Sequence, residues 1–331
     1  KQKTAYEIRN CDWSSDVCSS DLVFHLLVLG RKYKFTQLEQ KRLNQKNHTL
    51  HIVKYNKKDP QTILKEIKEL IENKMIKTIV LNTKTTIDSD IIKYLTNIQF
   101  EKNISMITIE HFVEKYLHKC YIPENNIDLN YLEDIKPFTT WQYMQKRTID
   151  YFGVFWLFFF SWPVMLLSKK KIQKQSPGQI LFKQDRVGLN KKLFKCTKFR
   201  TMHENSHHDP YTRENDTRIF PFGVTMRKTR LDELPQMINI LKGEMHLIGP
   251  RAEWNILVND YEKEIPYYNE RHLIRPGITG WAQVNYPYGA NIEDTKQKLM
   301  YDLYYIKNWS ILLDLKIVWK TAMTVIGKKG L

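Results

Sequence analysis

Residues 151–168 read YFGVFWLFFFSWPVMLLS, a run without a charged side chain in a protein of 331 residues. As one straight helix it would extend about 27 Å at 1.5 Å per residue, just short of a hydrocarbon core of about 30 Å. Pro163 argues against a straight helix: a proline in a helix interior costs about 3 kcal/mol and frees a carbonyl to which the Ser161 hydroxyl could donate. A bend is therefore expected there. Lys146 and Arg147 precede the run, and Lys169, Lys170, Lys171 and Lys174 follow it. The positive-inside tendency then places both ends in the cytoplasm. The expectation is a re-entrant membrane helical hairpin over 147–171, not a span. A buried core helix is the alternative, opposed by five Phe and two Trp in a segment that shows no amphipathic stripe.

Upstream, residues 23–124 alternate apolar runs with helical patterns: VFHLLVLG then Phe35–Asn44, HTLHIVKY then Gln61–Asn73, KTIVLN then Asp90–Phe100, and finally ISMITI. That order predicts an α/β fold class, a small Rossmann-like sheet of parallel strands. Gly30 is followed by Arg31, Lys32 and Tyr33 rather than by a GxGxxG phosphate turn, so a regulatory or assembly role is expected in place of dinucleotide binding. Residues 125–146 form a polar linker. Residues 1–22, KQKTAYEIRNCDWSSDVCSSDL, resemble a translated sequencing adapter and lack the apolar core of a signal peptide; they are expected to be non-native, native sequence beginning near Val23.

The formal net charge is +16. The leader holds three basic and four acidic residues, and without it the charge is +17. Such a charge implies an anionic partner: nucleic acid, anionic lipid or a phosphorylated substrate. Outside the leader only Cys120 and Cys196 remain, with no metal-ligand spacing and no disulfide framework.

Downstream, residues 172–331 are polar and dense in short motifs. ILFKQDRVG and LFKCTKFRTM predict a β-hairpin with Phe194, Cys196 and Lys198 on one face. His203, His207 and His208 sit in a polar loop and read as solvated rather than ligating. The most informative run is Arg227–Gly243, RKTRLDELPQMINILKG. Leu231, Leu234, Ile238 and Leu241 recur at helical spacing, and Pro235 fits only a first turn. Asp232 is then expected at or beside the helix N-cap, kept ionised by the helix dipole, with Glu233 as a hard oxygen ligand for Mg²⁺. Alone, an Asp-Glu pair at a helix start is more often a cap. Its company of Lys198, Arg200, Arg218, Arg227 and Arg251 favours diphosphate recognition. The run Leu312–Ile326 suits either a membrane-interface helix or core packing.

The series SPGQILFKQDRVG, LFKCTKFRTM, TRLDELPQMINILKGEMHLIGPR, RPGITGWAQVN and YDLYYIKNWSILLDLKIVWKT resembles, in order, the motifs of bacterial sugar transferases acting on polyprenyl phosphate, over about 147–330. The resemblance implies an enzyme of the bacterial inner membrane, catalytic domain on the cytoplasmic face, that moves a sugar phosphate from a UDP-sugar to undecaprenyl phosphate in exopolysaccharide assembly. It implies Asp232 as nucleophile and Glu233 as holder of Mg²⁺, with Lys198 and Arg227 near the phosphates, Arg251 at the nucleotide and Asp302 near the site. A homo-oligomer is compatible with it. Members of this kind carry transmembrane helices further upstream, which this sequence is expected to have lost with its true N-terminus. Two positions depart from the pattern: Ala252 stands where Pro is common, and Tyr286-Pro287 follow Asn285 where Gly-Arg is common. Competing readings are a membrane-anchored nucleic-acid-binding protein, for which no recognition motif is found, and a non-catalytic scaffold.

Overall fold

A computed structural model of the chain describes residues 23–55, 59–83, 86–124, 133–204, 216–287, 289 and 291–327. The adapter-like leader, residues 1–22, lies outside them, as do His207 and His208. The chain divides into two compact units, one ending at His118 and one beginning at Lys119.

In the first unit four strands, β1 (Phe24–Leu29), β2 (His48–Val53), β3 (Ile76–Leu81) and β4 (Ser105–Thr108), form a wholly parallel sheet in the order β2-β1-β3-β4. Between them run α1 (Gln37–Gln45), α2 (Pro60–Asn73) and α3 (Ser89–Glu101), and α4 (Ile109–Phe112) follows β4. Each long helix starts where a short polar side chain can accept an orphan N–H: Thr36 with Glu39 makes a capping box, Asp59 precedes Pro60, and Asp88 accepts from Asp90. Ile63, Ile67 and Ile71 of α2 and Ile91, Leu95 and Ile98 of α3 pack on Leu27, Leu29 and Ile79. Strand order reverses between β1 and β3, where open α/β sheets place their ligands. Here the Asn82 side chain closes the end of that crevice, accepting from the Tyr33 N–H at 2.7 Å and donating to the Tyr33 carbonyl at 2.9 Å. Gly30, at φ 96°, lets Asn82 approach, for a Cβ there would lie 2.5 Å from the Asn82 carbonyl oxygen.

The second unit is organised by α5 (Thr140–Gln175), a 36-residue helix. A capping box between Thr139 and Gln142 starts it, so it extends beyond the expected 147–171 at both ends. It runs unbroken with Pro163 inside, and Ser161 donates to the Met165 sulfur at 3.8 Å rather than to a freed carbonyl. The expectation that the apolar run has no stripe is corrected. Lys146, Asp150, Val154, Leu157, Met165, Ser168 and Ile172, at steps that keep to one helix face, turn toward the rest of this unit. Lys146 Nζ donates to Asp314 Oδ2 at 2.8 Å, to the Ile248 carbonyl at 2.9 Å and to Tyr305 Oη at 3.0 Å. Asp150 Oδ2 lies 2.5 Å from His246 Nδ1, and its Oδ1 accepts the Leu247 N–H at 2.9 Å. Val154 and Leu157 pack with Phe194, Met237 and Met245, while Met165 and Ile172 pack with Phe199, Phe220 and Met226. The opposite face leaves Phe152, Phe155, Phe159, Phe160 and Leu166 exposed. The helix thus lies along its own globular unit by one face and presents hydrocarbon on the other.

Around it, β5 (Leu181–Val187) and β6 (Leu193–Phe199) form the expected antiparallel hairpin, with Phe182 opposite Lys198 and Gln184 opposite Cys196. Helix α6 (Pro221–Thr229), a 3₁₀ turn (Leu231–Gln236) and α7 (Met237–Leu241) lead into β7 (His246–Ile248), and α8 (Asn255–Glu264) follows. Strand β8 (Gly277–Thr279) pairs in parallel with β7; a Cβ on Gly277 would lie 2.1 Å from the Gly249 nitrogen, so the glycine is required. Helices α9 (Trp281–Asn285), α10 (Ile292–Lys307) and α11 (Ile311–Ile326) complete the unit. On α11, Asp314 and Ile317 are buried, whereas Leu312, Leu315, Val318, Trp319 and Met323 are exposed.

Candidate active site

The run RLDELPQMINIL does not form one α-helix. Helix α6 ends at Arg230, whose backbone is left-handed at φ 59°, and the chain re-enters as the 3₁₀ turn Leu231–Gln236 before α7 begins at Met237. The spacing 231, 234, 238, 241 suits both helix types, and the tighter 3₁₀ turn rotates the later positions away from the core. Leu231 and Leu234 pack against the core, while Ile238 and Leu241 are exposed. Asp232 is accordingly not the N-cap; Arg230 is, without a capping side-chain bond, and Asp232 and Glu233 fall in the first turn.

Both carboxylates are buried, Asp232 at 9% and Glu233 at 5% exposure. Glu233 Oε1 meets three cations: Lys198 Nζ at 2.9 Å, Arg230 Nη1 at 3.5 Å and Arg251 Nη1 at 3.8 Å. Burial opposes its ionisation, but Lys198, Arg251 and Arg230 together outweigh burial and hold the carboxyl below its ordinary range. Asp232 goes the other way. Burial and then the neighbouring Glu233 charge push it up, against Lys198, Arg227 and Arg230. Asp232 Oδ1 is buried without a hydrogen-bond partner. A desolvated carboxylate with a free lone pair, held among cations, has the chemistry that nucleophilic attack would need.

The strands fix these positions. Lys198 projects from β6, and Asn239 of α7 sews that strand to the segment after the Leu231–Gln236 turn, accepting the Thr197 N–H at 3.0 Å and donating to the Lys195 carbonyl at 2.8 Å. A small cleft beside Glu233 is lined by Arg186, Cys196, Lys198, Met245, Arg251 and Ile278. Arg227 reaches the same site, its charge acting on Asp232 and its Nε donating to Thr201 Oγ1 at 2.9 Å.

Other residues singled out from sequence are engaged elsewhere. Arg200 is buried, and its guanidinium donates to Ser176 Oγ and to the carbonyls of Ser176, Gln179 and Met202, closing the C-terminal end of α5. Arg218 makes a two-point pair with Asp216. Asp302 is buried against Arg271, Oδ2 to Nη2 at 2.9 Å, and burial pushes its carboxyl up to about 6 despite that guanidinium. It acts on the site at one remove, since Arg271 Nη2 also donates to the Arg251 carbonyl at 3.0 Å. Arg186 Nη1 holds the next carbonyl, that of Ala252, at 3.0 Å. These two arginines thus hold consecutive carbonyls at the position where Ala252 stands in place of the common proline. His203 lies edge-on to Phe220. Among the described residues no group of three or more His, Cys, Asp and Glu is placed to enclose a metal ion.

Arg186, Arg230, Asn239 and Arg271 were not foreseen as site residues. Asn239 carried a signal, as the polar residue of MINIL, since a buried amide needs partners on both sides. The arginines carried none beyond their charge.

A family model described as bacterial sugar transferase matches residues 141–328. The UDP-N-acetylgalactosamine-undecaprenyl-phosphate N-acetylgalactosaminephosphotransferase of Aeromonas hydrophila is 46% identical over 170 residues, 51% of this chain and 40% of that protein. The UDP-glucose:undecaprenyl-phosphate glucose-1-phosphate transferase of Xanthomonas campestris pv. campestris is 43% identical over 173 residues, 51% of this chain and 36% of that one. The uncharacterized sugar transferase EpsL of Bacillus subtilis (strain 168) is 36% identical over 190 residues, 56% of this chain and 89% of its own length. The chain thus spans about two fifths of the length of the first two relatives. Because the matched residues make up more than half of the chain and include Lys198, Asp232, Glu233 and Arg251, this protein belongs to the bacterial sugar transferase family.

Proposed function

We propose that the chain transfers a sugar 1-phosphate from a UDP-sugar to undecaprenyl phosphate, with release of UMP, through a phosphosugar carried covalently by Asp232. The observation that carries the reading is the buried, unpartnered Oδ1 of Asp232 beside a Glu233 ringed by cations. In the first half-reaction the Asp232 carboxylate attacks the phosphorus that bears the sugar, and UMP leaves with the electron pair of the broken P–O bond. In the second, a phosphate oxygen of the lipid attacks the same phosphorus and returns Asp232 as a carboxylate. Lys198, Arg227 and Arg251 orient the diphosphate and balance the charge that develops on the leaving group.

The donor set suits Mg²⁺, which takes one or two carboxylates and completes its shell with substrate phosphates. Glu233, with the adjacent Asp232, would hold it, and it would supply further neutralisation of the diphosphate. Purified protein in lipid nanodiscs with undecaprenyl phosphate is expected to release UMP from at least one donor of a panel including UDP-N-acetylgalactosamine and UDP-glucose. EDTA should stop the release and Mg²⁺ restore it. Failure with every donor would refute the activity.

The same reading places α5 at the bacterial inner membrane, embedded by its phenylalanine face with both ends on the cytoplasmic side rather than crossing. Its support is that Lys146 near one end and Ile172 near the other pack on one globular unit, while the phenylalanine face is exposed. Helix α11 likewise exposes an apolar set, Leu312, Leu315, Val318 and Trp319, suited to a membrane interface. With Cys11 and Cys18 changed to Ser, single cysteines at Trp141 and Gln173 are both expected to be labelled in inverted vesicles and neither from the periplasm of intact cells. The native Cys120 and Cys196 are buried and contribute little background. Labelling of position 173 from the periplasm alone would show a span.

A further inference from the structure

We propose that Arg230 is a further substrate-binding residue that takes up a phosphoryl group arriving at Asp232; the inference rests on the function proposed above. Arg230 closes α6 in the left-handed region, at φ 59° and ψ 17°. That position favours glycine, because a Cβ there crowds the following carbonyl. The backbone work done at this residue needs no side chain: its N–H donates to the Arg227 carbonyl at 3.3 Å, and its carbonyl accepts the Glu233 N–H at 3.2 Å. A strained arginine therefore stands where glycine would serve the fold better.

Within the fold the side chain acts only through its charge, as one of three cations around Glu233. It is 41% exposed, and among the described residues its one ion pair is with Glu233 Oε1, 3.5 Å from Nη1, an oxygen already bonded by Lys198 at 2.9 Å. With one partner half-exposed and 3.5 Å between the charged atoms, this pair adds less than the hydrogen-bonded Lys198 contact does. Arg200 and Arg271, by contrast, spend their donors on backbone carbonyls. Among the described residues the Arg230 guanidinium pairs with Glu233 alone, and its charge also acts on Asp232, whose Oδ1 is buried and unpartnered. A planar fork of that geometry matches phosphate oxygens. The phosphoryl group has two sources, the nucleotide sugar and the lipid phosphate.

The test pairs stability with steady-state kinetics in nanodiscs for wild type, Arg230→Gly and Arg230→Lys. Arg230→Gly is expected to melt at or up to about 3 °C above wild type as the left-handed strain is relieved. Its kcat/KM is expected to fall roughly 10- to 100-fold, the loss of a charge-assisted hydrogen bond. Arg230→Lys should keep the strain and recover much of the activity. A raised KM for the UDP-sugar assigns the phosphoryl group to the nucleotide, and a raised KM for undecaprenyl phosphate assigns it to the lipid. Arg230→Gly with kcat/KM within twofold of wild type overturns the inference. So does a melt more than 3 °C below wild type, which would make the residue structural. Calorimetric binding of UDP and of undecaprenyl phosphate separates this from the function itself. If wild type turns over no donor yet binds either ligand at least tenfold more tightly than Arg230→Gly, the function falls and the Arg230 assignment stands. Equal binding by both proteins, with no turnover, overturns both.

Discussion

Asp232→Asn is expected to abolish turnover while leaving a folded protein. Asparagine matches the size of the carboxylate but cannot attack phosphorus, and single-nucleophile losses in enzymes that form covalent intermediates reach on the order of 10⁴-fold or more. Stability should not follow activity. Burial and the adjacent Glu233 raise the Asp232 carboxyl above its ordinary range, so the ionised form opposes folding, and that opposition grows as pH rises from the ordinary value through the raised one. Removing the charge should leave the melting temperature unchanged or higher, as when a functional strain is relieved. With a UDP-sugar alone, wild type should gain the mass of a phosphosugar on the peptide containing Asp232, and undecaprenyl phosphate should discharge it. Full activity in Asp232→Asn would remove the nucleophile from this turn. A wild type that turns over without any adduct would point to direct transfer between two bound substrates.

The largest stability effect is expected from Asp314→Ala. Its carboxylate pairs at 2.8 Å with Lys146 Nζ, and the two side chains are 2% and 0% exposed. Tyr305 Oη, also on that carboxylate at 2.7 Å, and the Ile248 carbonyl complete the shell of the lysine. Deleting one partner leaves a buried, unbalanced ammonium, which typically costs about 3–5 kcal/mol. For a unit of this size that corresponds to a fall of roughly 6–20 °C in melting temperature. Replacing both charges, as Lys146→Met with Asp314→Leu, should recover most of the loss, because an apolar pair of similar volume carries no desolvation penalty. An Asp314→Ala protein melting within 1 °C of wild type would mean that water enters this contact. Since Lys146 lies on α5 and Asp314 on α11, the single variant should also loosen α5 from the rest of its unit. That would appear as protease cleavage near Thr140.

The alternation of strand and helix in residues 23–124 was legible because it is local: apolar runs of strand length, separated by capped helices, leave few arrangements but a parallel sheet. The Asp232–Glu233 pair and Lys198 were legible for a similar reason, since each lies in a short motif whose residues remain neighbours after folding. Adjacency in the chain determined the two carboxylates, and strand parity set Lys198 on the face of β6 toward the site.

Tertiary structure decided the use of each arginine and the meaning of the apolar run. A guanidinium in sequence is a charge, and whether its donors meet a ligand or carbonyls depends on segments far along the chain. Arg200 is spent on residues 176–179, Arg271 on Asp302 and the Arg251 carbonyl, and Arg230 is left facing the site. The stripe on α5 was invisible because lipid tails and a protein interior favour the same side chains, so Val154, Leu157 and Met165 look no different from Phe155 and Phe159 until their neighbours are known. The left-handed turn at Arg230 was hidden too, since leucines three and four apart suit a 3₁₀ turn as well as an α-helix, and only packing against β6 selects between them.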